Sequence, residues 1–145
     1  MQPQLRTNAR TYSSNLYGRA ISNVGDHHWV VDHATWQDGP GEQPSALDHY
    51  LSSISACAVL MMERQAKASG VPLRSLDVRV EGTRRTEPPG SGPTTLQRVE
   101  VDCVFCGPST AQAEALVDYW KSNCVIYGSV ALSTPEVTVT AHLQD

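Results

Sequence analysis

The clearest pattern of apolar positions lies between Ser45 and Gly70. Apolar residues recur there at steps of three and four, which is the spacing of one face of an α-helix. They are Leu47, Tyr50, Leu51, Ile54, Ala58, Met61 and Met62. Ser45 suits the N-cap, Asp48 lies in the first turn where acids are favoured, and Gly70 followed by Pro72 ends the run. The sequence therefore predicts a helix of about five turns.

Alternation of apolar and polar residues predicts strands farther along the chain. It runs from Leu76 to Glu81, from Arg98 to Phe105, and again from Glu136 to Leu143. The first two segments flank a loop rich in Pro and Gly, residues 87–93, and we therefore interpret them as a hairpin. The third segment closes the chain as a strand.

The remaining segments complete the order of elements. Residues 11–22 and 28–32 are predicted strands on either side of a turn at residues 23–26. A second helix is predicted to start at Ser109 or Thr110 and to end near Cys124. Strands, a long helix, a hairpin, a helix and a strand in this order indicate an α+β fold. The length of 145 residues predicts one domain, residues 1–145.

Composition narrows the classes of function. Apolar residues make up 40% and charged residues 18% of the chain, a composition that excludes a disordered protein. The sequence contains no run of eighteen apolar residues, so no membrane span is predicted. The net charge is −4, and the pair Arg84-Arg85 is the longest run of basic residues. A nucleic-acid partner is therefore disfavoured, because such partners are usually bound by a basic patch. Since the first residues also lack a signal peptide's apolar segment, we expect a cytoplasmic protein.

The chain has four cysteines, at positions 57, 103, 106 and 124. Cys103 and Cys106 form a C-x-x-C, but side chains three apart in a strand point to opposite faces, and a zinc site needs further ligands. We therefore favour burial for this pair and expect no metal. Cys57 lies on the apolar side of the long helix. Its position alone favours the interpretation that it is a small core residue, because free cysteines are often buried.

The residues around Cys57 and Cys124 resemble the OsmC/Ohr-like proteins (osmotically inducible protein C and organic hydroperoxide resistance). Pro44 and an acid, Asp48, open a helix that carries Cys57, as in that family. The segment Cys124-Val125-Ile126-Tyr127 is similar to the family's Cys-Pro-Val-Tyr, with Val125 where the family has Pro. The similarity extends from Gly39 onward in the order of elements and in the cysteine spacing.

This resemblance implies a fold of antiparallel sheets wrapped around two central helices in an intertwined homodimer. It also implies a thiol-dependent peroxidase without a cofactor, whose partners are a small organic hydroperoxide and an external dithiol reductant. Cys57 would be the thiol that attacks the peroxide, and Cys124 the thiol that resolves the resulting sulfenic acid.

In the peroxidase branches, an Arg from the N-terminal strands, held by a Glu ten residues before the first Cys, activates the thiol. Arg19 is the matching candidate here, with Arg64 as a weaker one. Leu47 stands ten residues before Cys57, and Asp48 is the nearest acid; other branches carry the acid nine residues before the Cys. The alternative function is a non-catalytic protein of the same fold that binds a small apolar ligand at the dimer interface.

Overall fold

The computed structural model describes residues 6–85, 88 and 94–145. Within them the chain forms six strands, three α-helices and one 3₁₀ turn (Thr35–Gln37). In chain order the strands and helices are β1 (Arg10–Ser13), β2 (Arg19–Val24), β3 (His27–Asp32), α1 (Ala46–Ser69), β4 (Ser75–Arg84), β5 (Leu96–Cys106), α2 (Thr110–Asn123), α3 (Val125–Ser133) and β6 (Glu136–Gln144). No helix of the described residues is long and apolar enough to cross a membrane.

Backbone contacts divide the chain into two compact units, residues 1–50 and residues 51–145, and the boundary falls within α1. The expectation of one domain over residues 1–145 stays a prediction, as does the homodimer.

The first unit is built on a three-stranded antiparallel sheet in the order β1-β2-β3. Gly25 and Asp26 form the two-residue turn between β2 and β3, and Gly25 has a φ of 56°. A left-handed first residue matches the twist of the flanking strands, which is why glycine suits this position. The register from this turn places Arg19 directly opposite Asp32 at the far end of the hairpin.

The second unit contains a three-stranded sheet in the order β4-β5-β6 and the main hydrophobic core. α1, β5 and α2 each contribute four side chains that are buried. These are Ile54, Ala58, Met62 and Ala66 of α1, Val99, Val101, Cys103 and Phe105 of β5, and Ala113, Leu116, Val117 and Trp120 of α2. The period of four on α1 and of two on β5 is what burial of one face requires.

A close approach of the backbone connects the end of β5 to the segment before β4. Gly107 has a φ of 111°, and a Cβ there would overlap the carbonyl oxygen of Pro72. Arg74 donates its backbone N–H to the carbonyl of Cys106 at 2.8 Å. The sequence therefore needs glycine at position 107 for both conformation and space.

The structure confirms the α+β class, the long helix with its Ser45 cap, and the strands predicted by alternation. Three details correct the expectations. Residues 11–22, predicted as one strand, contain parts of two strands, β1 and β2. β6 pairs with β5 in parallel rather than antiparallel, because the chain crosses back through helices and returns in the same direction. In addition, residues 125–133 form a third helix, α3, that was not predicted. The predicted loop at residues 87–93 lies outside the described residues except for Pro88.

Candidate functional site

Two of the predicted site residues, Cys57 and Cys124, lie side by side in the second unit. Their Sγ atoms are 2.7 Å apart, although 67 residues separate them in the chain. Cys57 is partly buried on α1, one turn after the core residue Ile54, and Cys124 is 4% exposed. Both are free thiols. The prediction that the two sulfurs are close neighbours is confirmed.

Cys124 is fixed in position because it is both the C-cap of α2 and the N-cap of α3. Its backbone N–H donates to the carbonyl of Trp120 at 2.9 Å and ends α2, while its Sγ accepts the N–H of Tyr127 at 3.3 Å and begins α3. The residue itself has extended dihedral angles, as an N-cap requires. The rings of Trp120 and Tyr127 pack with centroids 5.0 Å apart and cover the junction.

The surroundings of Cys57 oppose ionisation. Burial, a hydrogen bond with Cys124 and repulsion from a charge on Cys124 together raise the pKa of Cys57 to about 12. The Sδ of Met61 lies 3.6 Å from the Cys57 sulfur and adds a soft, uncharged neighbour. The thiol is therefore protonated near neutral pH unless a cation acts on it, because only nearby positive charge or new hydrogen-bond donors would lower the pKa.

Arg19, the third predicted site residue, lies in the first unit and is held by two carboxylates. Its Nε donates to Oδ1 of Asp32 and its Nη2 donates to Oδ2, both at 2.8 Å. Nη2 also donates to Oε2 of Glu42 at 2.7 Å. These bonds raise the pKa of the Arg19 guanidinium above its ordinary value, so it stays charged at every relevant pH.

Asp32 and Glu42 are the residues that sequence reasoning missed at this site. The Asp32 side chain is fully buried, and its hydrogen bonds with Arg19 and with the backbone N–H groups of Gln43 and Glu42 hold its pKa at about 2. A signal did exist in the sequence. If Gly25 and Asp26 are taken as a two-residue turn, counting outward pairs position 19 with position 32.

Asp48, the fourth predicted site residue, caps α1. Its Oδ2 accepts the backbone N–H of Ser45 at 2.8 Å and the Ser45 hydroxyl at 2.7 Å, and Ser45 Oγ accepts the N–H of Asp48 at 3.3 Å. These bonds lower the pKa of Asp48. The reciprocal pattern is a capping box with Asp in place of Glu. Asp48 thus stabilises the start of α1, and its catalytic role stays a prediction.

The C-x-x-C pair lies in β5 and behaves as a strand segment. Cys103 is fully buried, and burial followed by the charge of Asp102 raises its pKa to about 11. Cys106 is partly buried at the last position of β5. Within the described part of the chain, no three His, Cys, Asp or Glu side chains are grouped as a metal site would need.

Arg64 and His49 of α1 have neighbours of their own. Arg64, the weaker candidate for a cation near the thiol, donates Nη2 to the hydroxyl of Tyr119 at 3.4 Å. His49 packs its ring against Trp29, with centroids 6.0 Å apart.

Comparison with known proteins adds the family. The model of the OsmC-like protein family matches residues 39–140. An OsmC-like protein from Mycoplasma pneumoniae superposes with a TM-score of 0.85 at 15% identity, covering 99% of this chain and 100% of that one. An organic hydroperoxide resistance protein OsmC from Legionella pneumophila (TM-score 0.73, 16% identity) and an organic hydroperoxide resistance protein from Elizabethkingia anophelis (TM-score 0.76, 14% identity) each match over 99% of this chain and 100% of their own. No curated protein matches the chain significantly.

Proposed function

Because the chain belongs to the OsmC-like protein family, we propose that it is a thiol-dependent peroxidase that reduces organic hydroperoxides through Cys57 and Cys124. The observation that carries this proposal is the 2.7 Å separation of the two sulfurs. A peroxidase of this kind needs a second thiol within reach of the first, because the sulfenic acid formed on one must condense with the other. The names of the Legionella and Elizabethkingia relatives support an organic hydroperoxide as the substrate class.

The proposed reaction has three balanced steps. The Cys57 thiolate attacks the distal peroxide oxygen, the O–O bond breaks, and the alkoxide leaves as an alcohol after taking a proton, so that Cys57 becomes a sulfenic acid. The Cys124 thiol then attacks that sulfur, forming the disulfide and releasing water. An external dithiol reduces the disulfide by thiol exchange and is itself oxidised to a disulfide.

The first step requires a thiolate, and Arg19 is the residue we propose to supply the positive charge. The causes acting on Cys57 among the described residues all raise its pKa, so the thiol needs a cation to be reactive near neutral pH. Arg19 is permanently charged and comes from the N-terminal strands, as in the peroxidase branches that this chain resembles. We expect the working form to be a cytoplasmic homodimer.

Titration with cumene hydroperoxide tests the proposal. One equivalent per chain is expected to consume two of the four thiols and to release one equivalent of cumyl alcohol. Trypsin makes the result unambiguous, because cleavage after Arg19, Arg64, Lys121 and Arg98 gives one peptide with Cys57 (20–64), one with Cys124 (122–145) and one with Cys103 and Cys106 (99–121). The peptides 20–64 and 122–145 are expected to be joined by a disulfide.

The matched control is Cys124→Ser, which keeps an oxygen acceptor at the start of α3. This variant is expected to stop at the sulfenic acid on Cys57 and to consume a single thiol. A disulfide between residues 103 and 106, with none between residues 57 and 124, would overturn the proposed roles.

The raised pKa of Cys57 favours a second candidate function. A protonated thiol in apolar surroundings is inert, and it would then line a site that binds a small apolar ligand. The two functions separate in one measurement on the native protein. If Cys57 reacts with neither hydroperoxide nor iodoacetamide at about pH 8, close to the pKa of an ordinary thiol, the binding function is favoured and the peroxidase proposal fails.

A further inference from the structure

The contact between the two sulfurs has a preferred direction. Sγ of Cys124 accepts the backbone N–H of Tyr127 at 3.3 Å, and Sγ of Cys57 lies 2.7 Å from the same atom. Donors converge on one acceptor most favourably when that acceptor carries negative charge. Cys57 is therefore the donor and Cys124 the acceptor in this hydrogen bond. The raised pKa of Cys57 includes the matching cause, because a hydrogen bond that a thiol donates stabilises its protonated form.

Cys124 lies at the end of α3 that stabilises negative charge. It is the N-cap of this nine-residue helix, and its carbonyl accepts the N–H of Gly128 at 2.9 Å. The first N–H groups of a helix have no partner within it, and the helix dipole is positive at this end. A cysteine at such a position is held more easily as a thiolate. When the pair carries one negative charge, that charge therefore lies on Cys124, and the remaining proton lies on Cys57.

Cys57 has different surroundings, because it lies within α1 rather than at a helix end. Its other sulfur neighbour is Sδ of Met61 at 3.6 Å, which carries no charge. Burial, the hydrogen bond to Cys124 and the charge there keep the thiol protonated, with a pKa of about 12. Cys57 is nevertheless the more exposed residue of the pair, since Cys124 is only 4% exposed. The accessible residue thus holds the proton, and the buried residue holds the charge.

We propose that Cys124 is the base that takes the proton of Cys57 when Cys57 attacks the peroxide, as well as the thiol that later forms the disulfide. The inference rests on the proposed function and is independent of the role proposed there for Arg19. Both sulfurs belong to the second unit, so the transfer requires only the 2.7 Å hydrogen bond between them. General base catalysis requires a base within hydrogen-bond distance of the proton that it removes.

The step balances without a further reactant. The proton of the Cys57 thiol passes to the Cys124 thiolate while Sγ of Cys57 bonds to the distal peroxide oxygen and the O–O bond breaks. The alkoxide that leaves takes this proton from Cys124 and becomes the alcohol. Cys57 is then a sulfenic acid and Cys124 is again a thiolate, which is the form that attacks the sulfenic sulfur.

The test measures how fast cumyl alcohol is released from one equivalent of cumene hydroperoxide, without reductant, because this release precedes the disulfide. Cys124→Ser keeps an oxygen acceptor at the N-cap of α3, but its hydroxyl is not ionised near neutral pH. We expect this variant to release the alcohol more than about tenfold more slowly than the wild type, since it lacks the base. A thiol that only resolves the sulfenic acid would give the opposite result. Its removal would leave the rate unchanged, or raise it by removing two of the causes that raise the pKa of Cys57.

An exposed position beside Cys124 tests the charge without altering either sulfur. Val125 is the first residue of α3 and is 76% exposed. We expect Val125→Lys to release the alcohol faster than Val125→Gln, and Val125→Glu more slowly, with at least about threefold between the two charged variants. In the Cys124→Ser background this difference is expected to shrink, because no thiolate remains at the start of α3. An equal difference in both backgrounds would mean that the charge acts on Cys57 directly, which would refute the inference.

Leu132 provides the matched control on the same helix. It is 93% exposed and lies about 10 Å farther along the helix axis than Val125. At physiological ionic strength, charges at the surface are largely screened over about 8 Å. Leu132→Lys and Leu132→Glu are therefore expected to release the alcohol at the wild-type rate. An effect as large as that at Val125 would be a general effect of protein charge and would overturn the inference.

The outcomes separate this inference from the proposed function. If the wild type releases no cumyl alcohol, the proposed function fails and the role of Cys124 as a base falls with it. If the wild type forms the 57–124 disulfide and a folded Cys124→Ser releases the alcohol at the wild-type rate or faster, the proposed function stands and the inference is refuted. The Val125 variants keep the test decisive if Cys124→Ser does not fold, because they retain both sulfurs. Equal rates in Val125→Lys and Val125→Glu would then refute the inference.

Discussion

Oxidation of the paired thiols is expected to change the stability of the protein by an amount that follows from the chain. A disulfide between Cys57 and Cys124 closes a loop of 67 residues. In the chain-entropy description, cross-linking a loop of that length lowers the entropy of the unfolded state enough to add about 4 kcal/mol to the free energy of unfolding. For a chain of this size, that corresponds to a rise in melting temperature of about 10 °C.

The full gain in the free energy of unfolding is expected because the two sulfurs already lie next to each other in the reduced protein. A cross-link that had to pull distant elements together would distort the native state and lose part of the gain. Here Cys57 lies on α1 and Cys124 at the junction of α2 and α3, and their Sγ atoms are neighbours before any bond forms. The magnitude therefore tests the geometry as well as the chemistry.

The assay is thermal unfolding of the same preparation before and after one equivalent of cumene hydroperoxide. Intact mass is expected to fall by two hydrogens, and dithiothreitol is expected to reverse both the mass and the melting temperature. Cys124→Ser, which cannot form the bond, should melt at one temperature under either condition. A mapped 57–124 disulfide that leaves the melting temperature unchanged, or lowers it, would refute the claim that the native fold holds the two thiols in bonding geometry.

Three further predictions concern pH, backbone conformation and assembly. The pKa of Asp32 in the folded protein, about 2, lies below its ordinary value of about 3.9. The ionised carboxylate therefore stabilises the fold above about pH 4, and this stabilisation is lost as the pH falls through 2. The melting temperatures of the wild type and Asp32→Asn should converge over that range. Gly107→Ala, which strains a positive φ and overlaps Pro72, should lower the free energy of unfolding in urea by more than about 2 kcal/mol, whereas Gly70→Ala, also at positive φ but in open space, should cost about 1 kcal/mol. Sedimentation at micromolar concentration should give about twice the chain mass of 15.8 kDa, and a monomeric mass would contradict the expected homodimer.

Much of the fold could be predicted because its elements carry regular patterns. The apolar face of α1 repeats every three to four residues and ends at Gly70, and apolar residues alternate with polar ones along most of β4 and β5, so both periods are visible in the sequence. α3 was missed because its nine residues, six of them apolar, show no amphipathic period. The parallel pairing of β6 was missed because alternation identifies a strand without specifying its direction.

Resemblance and spacing predicted which residues belong to the candidate site but not the contacts that those residues make. Cys57 and Cys124 were identified from the segments around them, whereas their separation of 2.7 Å depends on packing that no local pattern contains. The partners of Arg19 were missed for a different reason. The turn was taken as four residues, 23–26, and a turn of two residues is what brings Asp32 opposite Arg19. Glu42 lies in an irregular segment, whose contacts no period predicts.

The two-residue turn between β2 and β3 makes the surroundings of Arg19 depend on the register of this hairpin. Side chains alternate between the two faces of a strand, so an insertion between Val24 and His27 that made the pairing slip by one residue would move the Asp32 carboxylate to the opposite face of the hairpin. A longer loop that left the pairing unchanged would keep the face. Among natural or engineered variants of this hairpin, loops that keep the register of Arg19 opposite Asp32 should therefore be tolerated, whereas a slip by one residue should separate the guanidinium from its buried carboxylate even where every residue of β2 and β3 is retained.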